Sequence, residues 1–193
     1  AAKMEFCIVL FVSLSPSATA FASSRALETF KLIDEIYTAF DSIVDGFGFF
    51  KYHHINDTYV ICCPRTSHPF HVPEHLEQYK ERCVREAVLI AKALIAEASK
   101  CKSLEGEALW AKVGIACGPL AGAIVGKTRR FYCLFGDAVN TSARMCSHSQ
   151  PGSILCTSEF HSMLTVSRSS DVNVVEREEI HVKGKGMMKT FLL

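Results

Sequence analysis

Met4 through Leu14 reads Met-Glu-Phe-Cys-Ile-Val-Leu-Phe-Val-Ser-Leu. A strand with one wet face alternates apolar and polar residues; a nearly unbroken apolar run predicts a strand buried on both faces. Such a strand must be covered above and below, so the chain needs helices to pack against its sheet. Two amphipathic segments answer that need. Phe21 through Val44 repeats apolar residues at helical spacing (Leu27, Phe30, Ile33, Ile36, Tyr37, Phe40, Val44) until Asp45-Gly46 and Gly48 stop it. Glu74 through Lys100 carries a second stripe of Leu76, Val84, Val88, Leu89, Ala91, Leu94 and Ile95.

The remaining elements alternate. Phe49 to His54 and Thr58 to Cys63 read as a hairpin around Ile55-Asn56-Asp57. Ala108 to Cys117 is a strand expected to end at Gly118-Pro119, with a further apolar run from Leu120 to Val125. Phe131 to Phe135 suits a strand, Gly136-Asp137 a turn, and the residues through Met145 a helix. After the turn Ser149-Gln-Pro-Gly152 come a short strand, Ser153 to Cys156, and a short helix, Ser158 to Leu164, with Ser158 as its expected cap. Asp171 to Val182 has strand character, Lys183-Gly-Lys-Gly186 is a basic loop, and Thr190 to Leu193 is the last strand. This order predicts an α/β (α+β) fold, a mixed and largely antiparallel sheet flanked by helices. At 193 residues and 49% apolar, the chain has the size and the core of one domain.

Charge and cysteine usage exclude several classes. A net charge of +1 leaves no electrostatic footprint for nucleic acid. Nine cysteines, an odd number with no Cys-x-x-Cys spacing, predict free thiols in a reducing compartment, not a disulfide framework or zinc site. His68, His71 and His75 lie among prolines without Cys or carboxylate partners, so a solvated loop is expected there. Gly126-Lys127-Thr128 looks like the end of a phosphate-binding loop, but the required first glycine would be Ala121. Lys127-Thr-Arg-Arg130 then reads as a solvated basic turn.

One window carries chemistry: Phe131-Tyr-Cys-Leu-Phe-Gly-Asp-Ala-Val-Asn-Thr-Ser-Ala-Arg-Met145. Asn140 and Arg144 are four apart, so an amide and a permanent forked cation share one helical face. That pairing suits a ribose or phosphate ligand. The string closely resembles the nucleotide-binding signature of class III nucleotide cyclases, above all the guanylate cyclases of animals and protists. The likeness continues from Ile8 to Val182-Lys-Gly-Lys-Gly186 and Thr190-Phe-Leu192. Because it begins inside the N-terminal apolar run, that run is expected to be a strand and not a signal peptide.

The resemblance implies a ferredoxin-like core, one cyclase domain over residues 1–193, and a place on the cytoplasmic side of a membrane-anchored protein; the domain is expected to be excised from a longer chain. It also implies a reaction. The 3′-hydroxyl of a nucleoside triphosphate attacks its own α-phosphate, releasing pyrophosphate and a 3′,5′-cyclic monophosphate. Two Mg2+ or Mn2+ ions assist, and the site lies between two domains.

By the same resemblance, two Asp residues should hold the ions. Ser13, in Phe11-Val-Ser-Leu14, stands at the first position; Asp57, in Ile55-Asn-Asp57, keeps the second. A neutral hydroxyl is a weak magnesium ligand beside a carboxylate. The base-reading positions hold His53, which matches neither the Glu of guanylate cyclases nor the Lys of adenylyl cyclases, and Cys133, which matches guanylate cyclases. Asn140 corresponds to the ribose-orienting Asn and Arg144 to the Arg that neutralises the α-phosphate. Lys183 or Lys185 should reach the β- and γ-phosphates. The metal half is broken and the rest kept, as expected for one half of a heterodimeric guanylate cyclase. Its expected partners are GTP or ATP and a complementary cyclase domain. An adenylyl cyclase half-site and an inactive, regulatory cyclase domain are the alternatives.

Overall fold

The computed structural model describes residues 2–17, 24–47, 49–55, 58–63, 76–128, 130–167 and 172–193, without the side chains of 2, 53–55 and 76–79. The elements in order are β1 (Ala2–Ser15), α1 (Ala26–Asp45), β2 (Phe50–Ile55), β3 (Thr58–Cys63), α2 (Leu76–Ala98), β4 (Trp110–Val125), β5 (Phe131–Phe135), α3 (Asp137–His148), β6 (Ile154–Thr157), α4 (Ser158–Val166), β7 (Val175–Val182) and β8 (Gly186–Leu192). Eight strands form one sheet in the order β2-β3-β1-β4-β6-β8-β7, with β5 paired to β4. Among the described residues, only the β4–β6 pairing is parallel. This mixed, largely antiparallel sheet with four helices is the α+β architecture expected from the residue pattern.

β1 is central and buried on both faces. Ile8, Leu10, Val12 and Leu14 enter the main core with Tyr37 and Phe40 of α1, Val84 and Leu94 of α2, and Phe160 of α4. Cys7 and Val9 point the other way, into a smaller core with Val60, Cys62, Leu120, Leu134 and Ala138. Period-two alternation in the strand therefore feeds two separate cores. The second face is covered by α3, whose residues Ala138, Thr141, Ser142, Met145 and Cys146 are buried.

Several expectations need correction. The chain does not break at Gly118-Pro119: β4 runs through it as one strand of 16 residues. Proline has no N–H to give a ladder and is tolerated at bulges. Opposite Pro119, β1 shifts register between Met4 and Cys7, which absorbs the missing bond. The cap of α4 is Thr157, not Ser158; Thr157 Oγ1 accepts from the Phe160 amide at 3.3 Å. Leu27, Phe30 and Leu89 share helical spacing with the core stripes but are exposed. The buried line of α1 runs through Thr29, Ile36, Tyr37, Phe40 and Val44 instead. The last strand begins at Gly186, so the basic loop is a three-residue turn, 183–185, between β7 and β8. The His68, His71 and His75 loop lies outside the described residues. Six of the nine cysteines are buried, as their placement in apolar runs predicts.

Candidate nucleotide site

The centre of the site is the junction of β5 and α3. α3 lies directly on β4 because Gly114 carries no side chain there. A Cβ on Gly114 would stand 2.0 Å from the Cys146 amide nitrogen and 2.3 Å from the Ser142 carbonyl oxygen. The junction itself is as tight: a Cβ on Gly136 would meet Leu120 Cδ2 at 2.4 Å. With one side of α3 pressed to the sheet, its other side faces outward. Asn140 is exposed and Arg144 half-buried on that outward side, one turn apart. Arg144 makes no ion pair among the described residues.

The β7–β8 turn comes to the start of α3. Lys185 Nζ forms an ion pair with Asp137, the first residue of that helix. Thr141 Oγ1 also donates to Asp137 Oδ2, at 3.4 Å. A carboxylate in the first turn suits the positive end of the helix dipole, so Asp137 organises both the turn and the helix start. Gly184, at φ +83°, lets the three-residue turn close, and Lys185 N–H donates back to the Val182 carbonyl at 2.9 Å. Lys183 is exposed on the same turn. Sequence spacing left the two lysines equivalent; the fold separates them.

Ser13 lies in β1 opposite Thr58 of β3 and Lys112 of β4. Its Oγ is 3.3 Å from Cys146 Sγ on α3, and that sulfur is 3.3 Å from the Lys112 carbonyl. Burial pushes the Cys146 thiol up, while its hydrogen bond with Ser13 pulls the other way. This spot offers a hydroxyl, a protonated thiol and a backbone carbonyl. These donors do not fit a pair of hard divalent cations, which take carboxylate oxygen. No group of three or more His, Cys, Asp or Glu among the described residues could hold a metal ion. Asp57 lies outside the described residues, as does the His53 side chain; the His53 backbone pairs with Val60 across the β2–β3 ladder. Cys133 is half-buried in β5, opposite Ala123.

Contacts across long sequence separations were not legible beforehand. Tyr52 Oη accepts from the Leu134 amide at 3.0 Å, 82 residues away. Lys185 and Asp137 are 48 apart; Ser13 and Cys146 are 133 apart. Only the Asp137–Thr141 pair had a local signal, its i, i+4 spacing.

The fold has close counterparts. It resembles the guanylate cyclase domain of RhGC from Catenaria anguillulae in complex with GTP, with a TM-score of 0.82 and 24% identity, covering 100% of this chain and 97% of that one. It also resembles the adenylyl cyclase CyaB from P. aeruginosa, with a TM-score of 0.78 and 16% identity, covering 100% and 95%. These likenesses define a cyclase fold. A family model described as the adenylate and guanylate cyclase catalytic domain matches residues 1–193, and the chain belongs to that family. Among its relatives, guanylate cyclase soluble subunit beta-2 of Rattus norvegicus is 29% identical over 193 residues, 100% of this chain. The receptor-type guanylate cyclase gcy-14 of Caenorhabditis elegans is 33% identical over 186 residues, 96% of this chain. The chain spans 26% and 15% of the lengths of these two relatives. No helix among the described residues is long and apolar enough to cross a membrane.

Proposed function

We propose that this domain is one half of a dimeric guanylate cyclase, converting GTP to 3′,5′-cyclic GMP and pyrophosphate, and that it supplies the base, ribose and phosphate contacts. The observation that carries this reading is the division at α3. Asn140 and Arg144, the latter without an ion pair among the described residues, face outward, while Ser13, at the position where the family has a metal-binding Asp, is engaged with Cys146. A complementary cyclase domain, in the same or another polypeptide, provides the two carboxylates and with them the Mg2+ or Mn2+.

In this scheme O3′ of the ribose forms a bond to the α-phosphorus as the bond to the pyrophosphate oxygen breaks. Asn140 orients the ribose for in-line attack. Arg144 donates to the α-phosphate as negative charge grows there. Such preorganised donors contribute on the order of 3–4 kcal/mol. Lys183 takes the β- and γ-phosphates, since Lys185 is committed to Asp137. Cys133 and His53 read the purine edge, and Cys133 favours guanine.

Four large apolar side chains on the β4–β5 ribbon, Ile124, Val125, Phe131 and Phe135, are exposed. Val125, Phe131 and Phe135 share one face of it by register. A contiguous apolar face of this kind marks an association surface, and it supports a dimer. The likeness to receptor-type guanylate cyclases supports a domain acting on the cytoplasmic side.

The deciding experiment is a cyclase assay with GTP and with ATP in manganese, using this domain alone and mixed with a cyclase domain that carries both Asp residues. Activity confined to the mixture, with GTP preferred, is the expected result. An ATP preference would make it an adenylyl cyclase half-site. Robust cyclisation by the homodimer would sink the half-site reading. Ser13 in place of the first Asp, Asn56 in place of the family's glycine, and His53 favour one rival, a non-catalytic domain that only dimerises and regulates. Silence in a mixture with a verified binding partner would establish that rival.

A further inference from the structure

β5 has a single strand neighbour among the described residues, β4. Its amide at Leu134 is bonded by a side chain from the far edge of the sheet. Leu134 N–H donates to Tyr52 Oη at 3.0 Å. Tyr52 occupies a bulge in β2, where the register with β3 slips between Lys51 and His53. Bulges re-aim a side chain out of the regular ladder. The Tyr52 ring meets Tyr132 edge-on, with centroids 6.4 Å apart, and Phe50 meets the same ring at 6.5 Å. Tyr132 itself fills the space over Gly122, where a Cβ would lie 1.9 Å from its hydroxyl oxygen. Rings and hydroxyl together strap β2 to β5 across the second core.

The two ends of the strap have particular neighbours. Tyr52 directly precedes His53, and Leu134 directly follows Cys133. We infer that Tyr52 is a positioning residue for purine discrimination: its hydroxyl fixes the backbone of β2 against that of β5, so that the two base-reading positions hold one spacing. This rests on the reading of His53 and Cys133 as base contacts. A partly buried N–H that loses this acceptor is destabilised locally, so β5 moves when the hydroxyl is removed. Ring packing alone constrains position less sharply, because aromatic pairs tolerate a range of offsets.

The test is Tyr52→Phe, which keeps the ring and deletes the acceptor, in the full-length protein assembled with its partner domain. Three readouts are needed: amide hydrogen exchange at Leu134, equilibrium binding of GTP against ATP, and binding of inorganic tripolyphosphate. We expect exchange at Leu134 to quicken and the GTP-to-ATP affinity ratio to fall, each by about tenfold, the size of one lost hydrogen bond. Tripolyphosphate binding should stay unchanged, because the phosphate contacts lie on α3 and the β7–β8 turn. Faster exchange with an unchanged ratio would overturn the inference, and so would a parallel loss of all three ligands. Cys133→Asp separates the two levels. If it shifts the ratio and Tyr52→Phe does not, only the positioning role fails. If neither shifts it, the base-reading assignment fails and the positioning role with it. Should Tyr52→Phe not fold, 3-fluorotyrosine at 52, with a weaker acceptor oxygen on the same ring, gives the same comparison.

Discussion

Gly114 decides how near α3 can come to the sheet, and through it where Asn140 and Arg144 stand. The obstacle to any side chain there is helix backbone, at 2.0 and 2.3 Å from the position of a Cβ, so relief requires moving the whole helix. Gly114→Ala should cost about 2–3 kcal/mol, at the upper end for overpacked sites. Urea unfolding would read this as a lower midpoint at constant slope; an unchanged midpoint would mean α3 does not depend on this contact. Arg144 tests chemistry instead of packing. Arg144→Ala in the assembled enzyme should lower turnover by about 10²–10³-fold with little change in melting temperature, since Arg144 makes no ion pair among the described residues. A loss of twofold or less would identify a scaffold. At this scale residue identities were readable from the chain: Asn140, Arg144 and Cys133 stand in a short local string. Their commitments were not, because Lys185 finds Asp137 and Ser13 finds Cys146 only after folding.

Among the elements, the hairpin of β2 and β3 is fastened to α1 by Asp41, which accepts from Tyr59 Oη at 2.5 Å and pairs with Lys51 at 2.8 Å. Burial, and then the bond to Asp41, push the Tyr59 phenol well above its ordinary value of 10.0. A raised acid is favoured in its protonated form in the fold. Its stabilisation is therefore complete below pH 10 and is lost as pH rises above it. Unfolding measured from about pH 9 to about pH 11.5 should show wild type losing stability faster than Tyr59→Phe; parallel curves would refute the assignment. Thr157 makes a simpler case. Thr157→Ala removes the α4 cap and should cost about 1 kcal/mol, while Ser158→Ala should cost far less. Ser158 was the sequence expectation because both residues are good caps, and one-residue offsets at helix ends are not encoded by type alone. The strand-helix alternation was legible since it depends on periodicity. The run through Pro119 was not, because the compensating bulge lies in β1, more than a hundred positions away.

For the molecule as a whole, the exposed face of the β4–β5 ribbon carries the association prediction. Replacing Phe131 and Val125 together with Glu sets charge on three-residue apolar contact and should weaken dimerisation by at least tenfold, about 1.4 kcal/mol or more. Sedimentation velocity would report it, with circular dichroism unchanged; an unaltered dimer would place the interface elsewhere. The sequence by itself determined the class of this protein. Apolar periodicity required a sheet buried on both faces, and the string around Asn140 and Arg144 marked the nucleotide-cyclase family, because both signals are local and survive without coordinates. Tertiary structure decided which polar groups are already spent. It committed Lys185 to Asp137, turned Ser13 toward Cys146, and strapped β2 to β5 through Tyr52. These are short-range interactions between residues far apart in the chain, and only the packed sheet brings such groups within a few ångströms of one another.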